Sequence, residues 1–314
     1  MKNIKKLPFI LIILSFLTIF VPANAEIKVV TSIKPIHSLA SYLMDGVGKP
    51  DLIVDGYASP HGFALKPTHA KMLQEADLVF WVGEDLENFL EKPLKSIAKK
   101  AEKIELMEIK GITKLKFRER NIFDEHGHKE EEHGHKEDEH GHDEHAHGEH
   151  DPHIWLDPMN AKVILSEMAE HLIENDSKNE AKYKANLKRA HKDLDQLTKK
   201  VKSELNKDFK SIVFHDAYQY FEKRFDINVL GAFTVNTDVM PGAEQLAEIR
   251  EVINHDKVSC VFSEPQFNPD IIKAVAKDTN IATGVMDPLG ATLNPGKDLY
   301  FDLIGNMSKS FKGC

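Results

Sequence analysis

The chain has 314 residues, of which 41% are apolar, and a formal net charge of −9 at pH 7. This length predicts about two domains, and the apolar content is typical of a globular protein. Because no stretch of the chain forms a basic face, the composition excludes binding to nucleic acid and to anionic lipid.

The first 25 residues are typical of a secretory signal peptide. A basic start is followed by an uncharged apolar run over residues 7–21 and by small residues at positions 23–25. The run is shorter than the ~20 residues of a membrane-spanning helix, so a retained anchor is only the alternative. We expect cleavage before Glu26 and export to the periplasm. Because no cysteine lies at the cleavage point to carry a lipid, we expect no direct membrane anchor.

Short β-branched runs alternate with amphipathic segments in the first part of the mature chain. The patterns predict strands over residues 27–32, 52–54, 78–82 and 104–107, and helices over residues 35–44, 67–74 and 86–100. Strands that alternate with helices favour a parallel sheet covered by helices on both faces.

Residues 125–150 differ in composition from the rest of the chain. They combine ten acidic residues with nine histidines in repeated EHGHKE-like units, without any apolar residue larger than alanine. Such a segment cannot bury enough apolar surface to offset its ordering entropy, so we predict a disordered loop. Neutral imidazoles bind metal, so we interpret the segment as an auxiliary zinc-collecting loop, with a solvated acidic spacer as the alternative. Its histidines are His126, His128, His133, His135, His140, His142, His145, His147 and His150.

The alternation of strands and helices resumes after a long helical pattern. A helix over residues 161–173 precedes one from Glu180 to Leu205, which contains no Gly or Pro and would be about 40 Å long. Further patterns predict strands over 211–214, 228–231, 258–263 and 282–286, and helices over 243–254, 269–278 and 299–311. We therefore predict an α/β fold with two parallel-sheet lobes joined by a long rigid linker helix. The predicted boundaries are a signal peptide at 1–25, an N-terminal lobe at 26–175, the linker at 176–206 and a C-terminal lobe at 207–314.

Cys260 and Cys314 are the two cysteines of the chain. In an oxidising compartment they suggest one disulfide, with two unpaired thiols as the alternative. A bond between them would close a segment of about 54 residues, for which chain-entropy arguments give on the order of 4 kcal/mol. It would fasten the C-terminal tail to a late strand.

Three histidines and one aspartate occupy positions where a ligand site can form. His215 directly follows the strand at 211–214, and Asp287 directly follows the strand at 282–286. His61 lies in the loop ASPHGFALKP after the second strand, and His153 lies in DPHIWLDP where the acidic segment ends. Because α/β folds bind ligands in the crevice at the carboxyl ends of their strands, we expect these side chains to meet between the two lobes.

The chemistry of these side chains suits zinc. Zinc takes four ligands in a tetrahedron, which three imidazoles and one oxygen from Asp287 or water would supply. Manganese, a harder ion, would favour more carboxylate oxygens. Asp151, Asp157 and Asp216 flank the histidines, and any of them could accept the second imidazole N–H.

The other histidines receive a different interpretation. We expect structural or solvated roles for His37, His171, His191 and His255, with His171 and His191 solvated on long helices. His69 lies shortly after His61 and stays open as a minor alternative ligand.

Several segments together resemble a known family. In chain order they read IKVVTSIKPIHSLA, ASPHGFALKP, the acidic histidine-rich segment, DPHIWLDP, FHDAYQYF, PGAEQLAEI, CVFSEPQF and MDPLG. They are similar to the zinc-specific branch of the cluster A-I solute-binding proteins, the ZnuA type, over essentially the whole mature chain. The resemblance implies two lobes joined by a rigid helix, with a metal ion held between them.

The resemblance also implies a set of metal ligands. The ligand positions of the family fall on His61, His153 and His215, and manganese-specific relatives usually carry Glu where His215 stands. Asp287 matches a fourth ligand position used in several relatives. Some zinc-binding members have a Glu directly before the first ligand His, where this chain has Pro60, so the fourth ligand is Asp287 or water.

The function that the resemblance implies is transport. We expect a monomer that captures Zn²⁺ and delivers it to the permease of an ABC-type zinc transporter with its ATPase, and that is not an enzyme. Cys260 and Cys314 match the disulfide positions of the periplasmic members. One alternative is a zinc hydrolase with a three-histidine and water site, although no HExxH motif occurs. The other is a periplasmic zinc buffer or adhesin without a transporter.

Overall fold

The computed structural model describes residues 26–123, 148–237 and 239–314. The predicted signal peptide and the loop histidines from His126 to His147 lie outside the described residues. Within the described part of the chain, no helix is both long and apolar enough to cross a membrane.

The first half of the fold is a four-stranded parallel sheet with its helices. Its elements are β1 (Val29–Ile33), α1 (Lys34–Leu43), β2 (Asp51–Val54), α2 (Pro67–Glu75), β3 (Leu78–Trp81), α3 (Glu84–Ser96) and β4 (Glu102–Glu105). The strand order is β2-β1-β3-β4. Every residue of β1 and of β3 is buried, as expected for parallel strands with helices on both faces.

Two longer helices follow, α4 (Pro158–Asn175) and α5 (Glu180–Glu204). They pack against each other, and α5 also packs against α1. The sequence specifies the start of α4 through Pro158 at the first helical position and through Asp157, whose carboxylate accepts a hydrogen bond from the backbone N–H of Met159 at 2.8 Å.

The second half repeats the arrangement of the first. Its elements are β5 (Lys210–His215), α6 (Gln219–Phe225), β6 (Asn228–Thr234), α7 (Ala243–His255), β7 (Cys260–Ser263), α8 (Asp270–Thr279), β8 (Ala282–Val285) and α9 (Leu299–Gly313). The strands are parallel in the order β6-β5-β7-β8. The two sheets confirm the predicted α/β fold class, whereas the residue boundaries of the lobes stay a prediction.

Two elements differ from the sequence-based expectation. The strand predicted over 104–107 is β4 at Glu102–Glu105, and a 3₁₀ turn follows over Leu106–Glu108. The reason is that pairing with β3 ends at Trp81 opposite Glu105. The sequence patterns did not predict α6.

One apolar core extends through both halves. It contains Phe80 of the first sheet, Leu194 of α5, Phe221 of α6 and Phe311 of α9, and a smaller core lies beneath α7 and α8. The last helix, α9, packs on α1 and α5. The helices α5 and α9 therefore both connect the two halves.

The end of α9 is joined to the second sheet by a disulfide. Cys314 is bonded to Cys260 of β7, and their Cα atoms lie 5.8 Å apart. The predicted disulfide is confirmed.

Candidate metal centre

The histidines reach the candidate site from three separate segments. His215 is the last residue of β5, at the carboxyl end of the second sheet. His61 lies in the loop that follows β2. His153 directly precedes a 3₁₀ turn over Ile154–Leu156, which leads into α4. In both sheets the strand order reverses beside the first strand, and α/β folds bind ligands at the carboxyl edge of such a point.

The three imidazole rings converge. One nitrogen from each of His61, His153 and His215 lies within 4.8 Å of the other two. The Nε2 atoms of His153 and His215 are 3.2 Å apart. Two nitrogens bound to the same tetrahedral zinc would be about 3.3 Å apart, because each Zn–N bond is about 2.0–2.1 Å. The spacing of these two nitrogens therefore fits one shared zinc ion.

Buried carboxylates orient two of the rings. Nδ1 of His153 lies 2.6 Å from Oδ1 of Asp151, and Nδ1 of His215 lies 3.1 Å from both carboxylate oxygens of Glu264. We assign the proton of each neutral ring to Nδ1, since a carboxylate can only accept a hydrogen bond. Both Nε2 lone pairs then face the centre of the site, where they repel each other unless a proton or a metal cation lies between them.

The charges around the two rings differ. Burial lowers the pKa of His153 well below its usual value, and the neighbouring His215 lowers it further. Burial also opposes charge on His215, but the carboxylates of Glu264, Asp216 and Asp151 together outweigh burial and raise the pKa of that imidazole. Burial raises the pKa of Asp151 to about 7. The two imidazoles therefore readily hold no more than one proton between their Nε2 atoms. A metal cation, which binds neutral imidazoles, has at most that proton to displace.

The structure selects one of the three predicted carboxylate partners and supplies another. Asp151, one of the three predicted partners, contacts the imidazole of His153. Asp157 caps α4 and pairs with Arg224 instead, and Asp216 pairs with Arg118. Glu264, the partner of His215, was not predicted from the sequence.

Glu264 could have been found from the sequence. It directly follows β7, so it lies at the same carboxyl edge that places His215 and Asp287. Applying the strand-end argument to every strand, rather than to histidines and one aspartate, would have included it.

The site is a small, mostly apolar cavity of about 10 Å³. Its wall includes Pro60, Trp155, Phe267, Pro288 and Leu289. Trp155 is fully buried, and its Nε1–H donates to the carbonyl of Pro288 at 2.8 Å. A cavity of this volume holds about one water molecule, so a single ion fits it.

Asp287, the predicted fourth ligand, lies outside the cluster of imidazole nitrogens. Its Oδ1 accepts a hydrogen bond from the side-chain amide of Gln266 at 3.0 Å and another from the backbone N–H of Leu289 at 3.3 Å. The structure thus brings together three of the four predicted ligands.

The other described histidines lie outside this cluster. Nδ1 of His69 accepts the backbone N–H of Lys66 at 3.1 Å, which gives His69 a capping role at the start of α2. His37 is buried, with Nε2 3.1 Å from the carbonyl of Pro50. His150, the one histidine of the acidic segment among the described residues, forms an isolated antiparallel β-bridge with Lys116 through its backbone.

A buried lysine of the first half contacts a backbone segment of the second half near the site. Nζ of Lys34 donates to the carbonyls of Gly290, Ala291 and Leu293 at 2.9–3.2 Å. It also lies 3.3 Å from Oδ1 of Asp55, in the loop that carries His61. Lys34 is only 4% exposed, so these contacts replace its hydration.

Comparison with known proteins identifies the family. Residues 29–314 match the ZnuA family, described as "Zinc-uptake complex component A periplasmic". The chain belongs to this family. The match confirms the resemblance inferred from the sequence motifs.

Individual members of the ZnuA family are similar over nearly their whole length. A protein of Brucella abortus (strain 2308) named "High-affinity zinc uptake system protein ZnuA" is 45% identical over 303 residues, covering 91% of each chain. A protein of Yersinia pestis with the same name is 39% identical over 298 residues, covering 92% of each chain.

Solved structures share the fold. One described as "Crystal structure of ZnuA" has a TM-score of 0.73 and 22% identity, covering 91% of this chain and 100% of the other. A zinc-bound ZnuA deletion mutant also has a TM-score of 0.73 and 22% identity, covering 91% of this chain and 96% of the other.

Proposed function

We propose that this member of the ZnuA family is the periplasmic zinc-binding component of a zinc uptake system. The observation that carries the proposal is the convergence of His61, His153 and His215, with one nitrogen of each within 4.8 Å of the others. Zinc is the cargo: it is captured, held and released unchanged.

The capture step follows from the orientation of the rings. Asp151 and Glu264 hold the Nδ1–H groups of His153 and His215, so both Nε2 lone pairs are available to one ion. Zinc between them replaces a repulsion by two bonds, and His61 supplies a third nitrogen. The fourth ligand is water or Asp287, and Asp287 would first have to leave Gln266.

Delivery requires partners outside this chain. The family description, a component of a zinc-uptake complex, supports a membrane permease with its ATPase as the recipient. We propose that the exported chain works as a monomer without a membrane anchor of its own. Release occurs when the permease binds a form of the chain in which the imidazoles no longer meet. The permease can shift the chain toward that form only if it binds it more tightly than the zinc-holding form.

The cavity volume favours transport over catalysis. A three-histidine zinc site with water could activate that water for hydrolysis. The cavity of about 10 Å³ is close in size to one water molecule, so an ester or a peptide could enter it only after the surrounding side chains moved. We therefore propose that the chain is not an enzyme.

We also propose that the acidic histidine-rich segment collects zinc for the central site. The chain is held on different halves of the fold at the two ends of this segment. Before it, the backbone N–H of Phe123 donates to Leu230 of β6 at 2.8 Å. Near its C-terminal end, the backbone N–H of Gly148 donates to the carboxylate of Asp85 of α3 at 2.9 Å. A tethered collector raises the local zinc concentration without a fixed geometry.

Zinc binding by variants tests this function. Competition with a chelator measures the tight site in the full chain and in His153→Ala and His215→Ala, with His255→Ala on α7 as the matched control. His153→Ala and His215→Ala are each expected to bind zinc at least about 100-fold more weakly, which is a loss of about 2.7 kcal/mol of binding free energy. The control is expected to bind zinc as tightly as the unmodified chain. Deletion of residues 125–147 should keep the tight site and reduce the total zinc bound.

Other results would contradict the proposal. Unchanged affinity in His153→Ala or His215→Ala would remove that residue from the ligands. Loss of the tight site on deletion would place a ligand inside the segment. Zinc-dependent hydrolysis of a generic ester that His215→Ala abolishes would favour the enzyme.

A further inference from the structure

A second cluster of potential metal ligands lies at the opposite edge of the first sheet. His171 and Glu174 lie in the last turns of α4, and Glu102 is the first residue of β4. One ligand atom from each lies within 4.8 Å of the other two. Because parallel strands all begin at one edge and end at the other, this cluster is remote from the cleft at the carboxyl edge.

The helix presents several of these groups on one face. Glu167, His171 and Glu174 are spaced by four and three residues, so their side chains project from the same side of α4. Oε1 of Glu167 lies 3.4 Å from Nε2 of His171. The helical spacing thus surrounds one imidazole with carboxylates from the preceding and following turns.

Glu102 completes the cluster from the neighbouring strand. Its Oε1 lies 2.9 Å from Nδ1 of His171, but the contact lacks the alignment of a hydrogen bond, so this buried nitrogen has no hydrogen-bond partner. The other oxygen of Glu102 accepts the side-chain amide of Asn175 at 3.0 Å. Glu102 is therefore positioned by α4 and aimed at His171.

The negative charge of the cluster has no basic partner in the described part of the chain. No Lys or Arg there forms an ion pair with Glu102, Glu167 or Glu174 within 4.0 Å, and the ion pairs of Glu102 and Glu167 are with His171 alone. Three carboxylates around one imidazole repel each other. A divalent cation would offset that repulsion and would also use the unpartnered nitrogen.

We propose that His171, Glu102 and Glu174 form a second, peripheral site for a divalent transition-metal ion. One imidazole nitrogen and carboxylate oxygens suit zinc, nickel or copper more than calcium or magnesium, which prefer oxygen alone. Water completes the coordination because Glu102 and Glu174 are exposed. With a single imidazole, the site binds more weakly than the cleft. This assignment replaces the solvated role that the sequence pattern predicted for His171.

Imidazole nitrogen resonances in the full chain provide a site-specific test. Protein labelled with ¹⁵N-histidine first receives one equivalent of zinc, which fills the cleft, and is then titrated with further zinc. The His171 signals are identified by their loss in His171→Ala. They are expected to shift in a saturable manner. In Glu102→Gln/Glu174→Gln the dissociation constant for this shift should rise at least about tenfold.

His191 serves as the matched control. It lies on α5, is partly buried, and has Nε2 3.1 Å from the carbonyl of Lys162, while the nearby Asp195 is paired with the ammonium group of Lys162. Its signals should not respond at the same zinc concentrations. The loop histidines report in the same spectra that free zinc is available.

Two results would overturn the proposal. The first is a His171 signal that stays unchanged while the loop histidines respond, which would leave His171 as an imidazolium paired with Glu102 and Glu167. The second is an equal zinc response in Glu102→Gln/Glu174→Gln. Circular dichroism of this isosteric variant checks that the fold is intact. Because the cleft is filled with zinc before the titration begins, these outcomes report on the peripheral site and not on the cleft.

Discussion

At the scale of single residues, the carboxylate of Glu264 controls how His215 presents its nitrogens. Both carboxylate oxygens lie 3.1 Å from Nδ1, and Glu264 is 3% exposed. A buried anion at this position fixes the tautomer and increases the basicity of Nε2. In the proposed zinc site, the strength of zinc binding by His215 would therefore depend on Glu264, which is not one of the proposed ligands.

Replacing Glu264 by Gln tests this dependence. The amide oxygen can still accept a hydrogen bond, but the charge is lost, so zinc affinity is expected to fall about 10–100-fold. Chelator competition measures the change, with Glu251→Gln, exposed on α7, as the control. An affinity equal to that of the unmodified chain would show that Glu264 does not tune His215.

The convergence of the three candidate ligands was predictable, and the groups around them were only partly so. Positions after strands indicated His61 and His215, and the motif DPHIWLDP at the end of the acidic segment indicated His153, because the carboxyl edge of a parallel sheet is a general ligand position. Asp287 satisfies the same rule, yet it accepts a hydrogen bond from Gln266 and lies outside the cluster. Such a side-chain hydrogen bond depends on tertiary packing and leaves no periodic signal in the sequence.

Glu87 gives a residue-scale prediction about pH. It is fully buried in α3, and its Oε2 accepts the backbone N–H groups of Val82 and Gly83 at 2.7 and 3.2 Å. Burial raises its pKa from 4.5 to about 7. The folded state therefore binds this proton more tightly than the unfolded state. The stability that this residue contributes is present below pH 4.5 and is lost as the pH rises through about 7.

Urea unfolding between pH 5 and 8 measures the effect. The free energy of unfolding should fall with pH by up to about 3 kcal/mol relative to Glu87→Gln, which does not titrate. Other buried carboxyls contribute equally to both proteins and cancel in the difference. Glu170→Gln, exposed on α4, should show no such trend. A difference between Glu87→Gln and the unmodified chain that stays constant with pH would contradict the assignment.

At the scale of elements, periodicity predicted every strand of both sheets and missed one helix. The missed helix, α6, has seven residues, of which all but Lys223 and Arg224 are buried. A helical period of apolar residues is visible only when the helix also has an exposed polar face. Because α6 is short and mostly buried, its sequence shows no such period. It also ends at Asp226 in a left-handed conformation, without the glycine that usually marks such an end.

The contacts of Lys34 are the element-scale feature that the sequence did not reveal. This residue begins α1, and its ammonium group holds the connection between β8 and α9 by hydrogen bonds to three carbonyls. Lys34→Met keeps the apolar stem and leaves those buried carbonyls without their donor. Hydrogen bonds to charged groups contribute about 1.5–3 kcal/mol each, and the variant is expected to lose at least that much stability.

Thermal unfolding checks the Lys34 prediction. Lys273→Met, which removes an exposed ion pair with Asp270, is the control and should have almost no effect. Because Lys34 also lies beside Asp55 in the His61 loop, zinc should dissociate faster from Lys34→Met. Normal stability of the variant would mean that water replaces the ammonium group.

At the scale of the whole molecule, one apolar core joins both halves. The core includes side chains from the first sheet, α5, α6 and α9, and α5 and α9 each contact α1. The disulfide between Cys260 and Cys314 holds the end of α9 on the second sheet. Sequence periodicity indicates which face of an element is apolar but not which element covers it, so the continuity of this core was not predictable.

This shared core predicts that zinc capture involves little movement of one half against the other. A wide hinge opening would expose apolar surface at about 25 cal/mol per Å², whereas small shifts of packed helices by about 1–2 Å would not. Spin labels at Lys71→Cys on α2 and Lys273→Cys on α8 report the distance between the halves at exposed positions. The distance distribution is expected to move by no more than about 2–3 Å when zinc is added. The same pair in the His215→Ala background should show no change at all. A zinc-dependent shift of about 10 Å would instead require the core to separate, and release would then proceed by domain opening rather than by local rearrangement of the ligand loops.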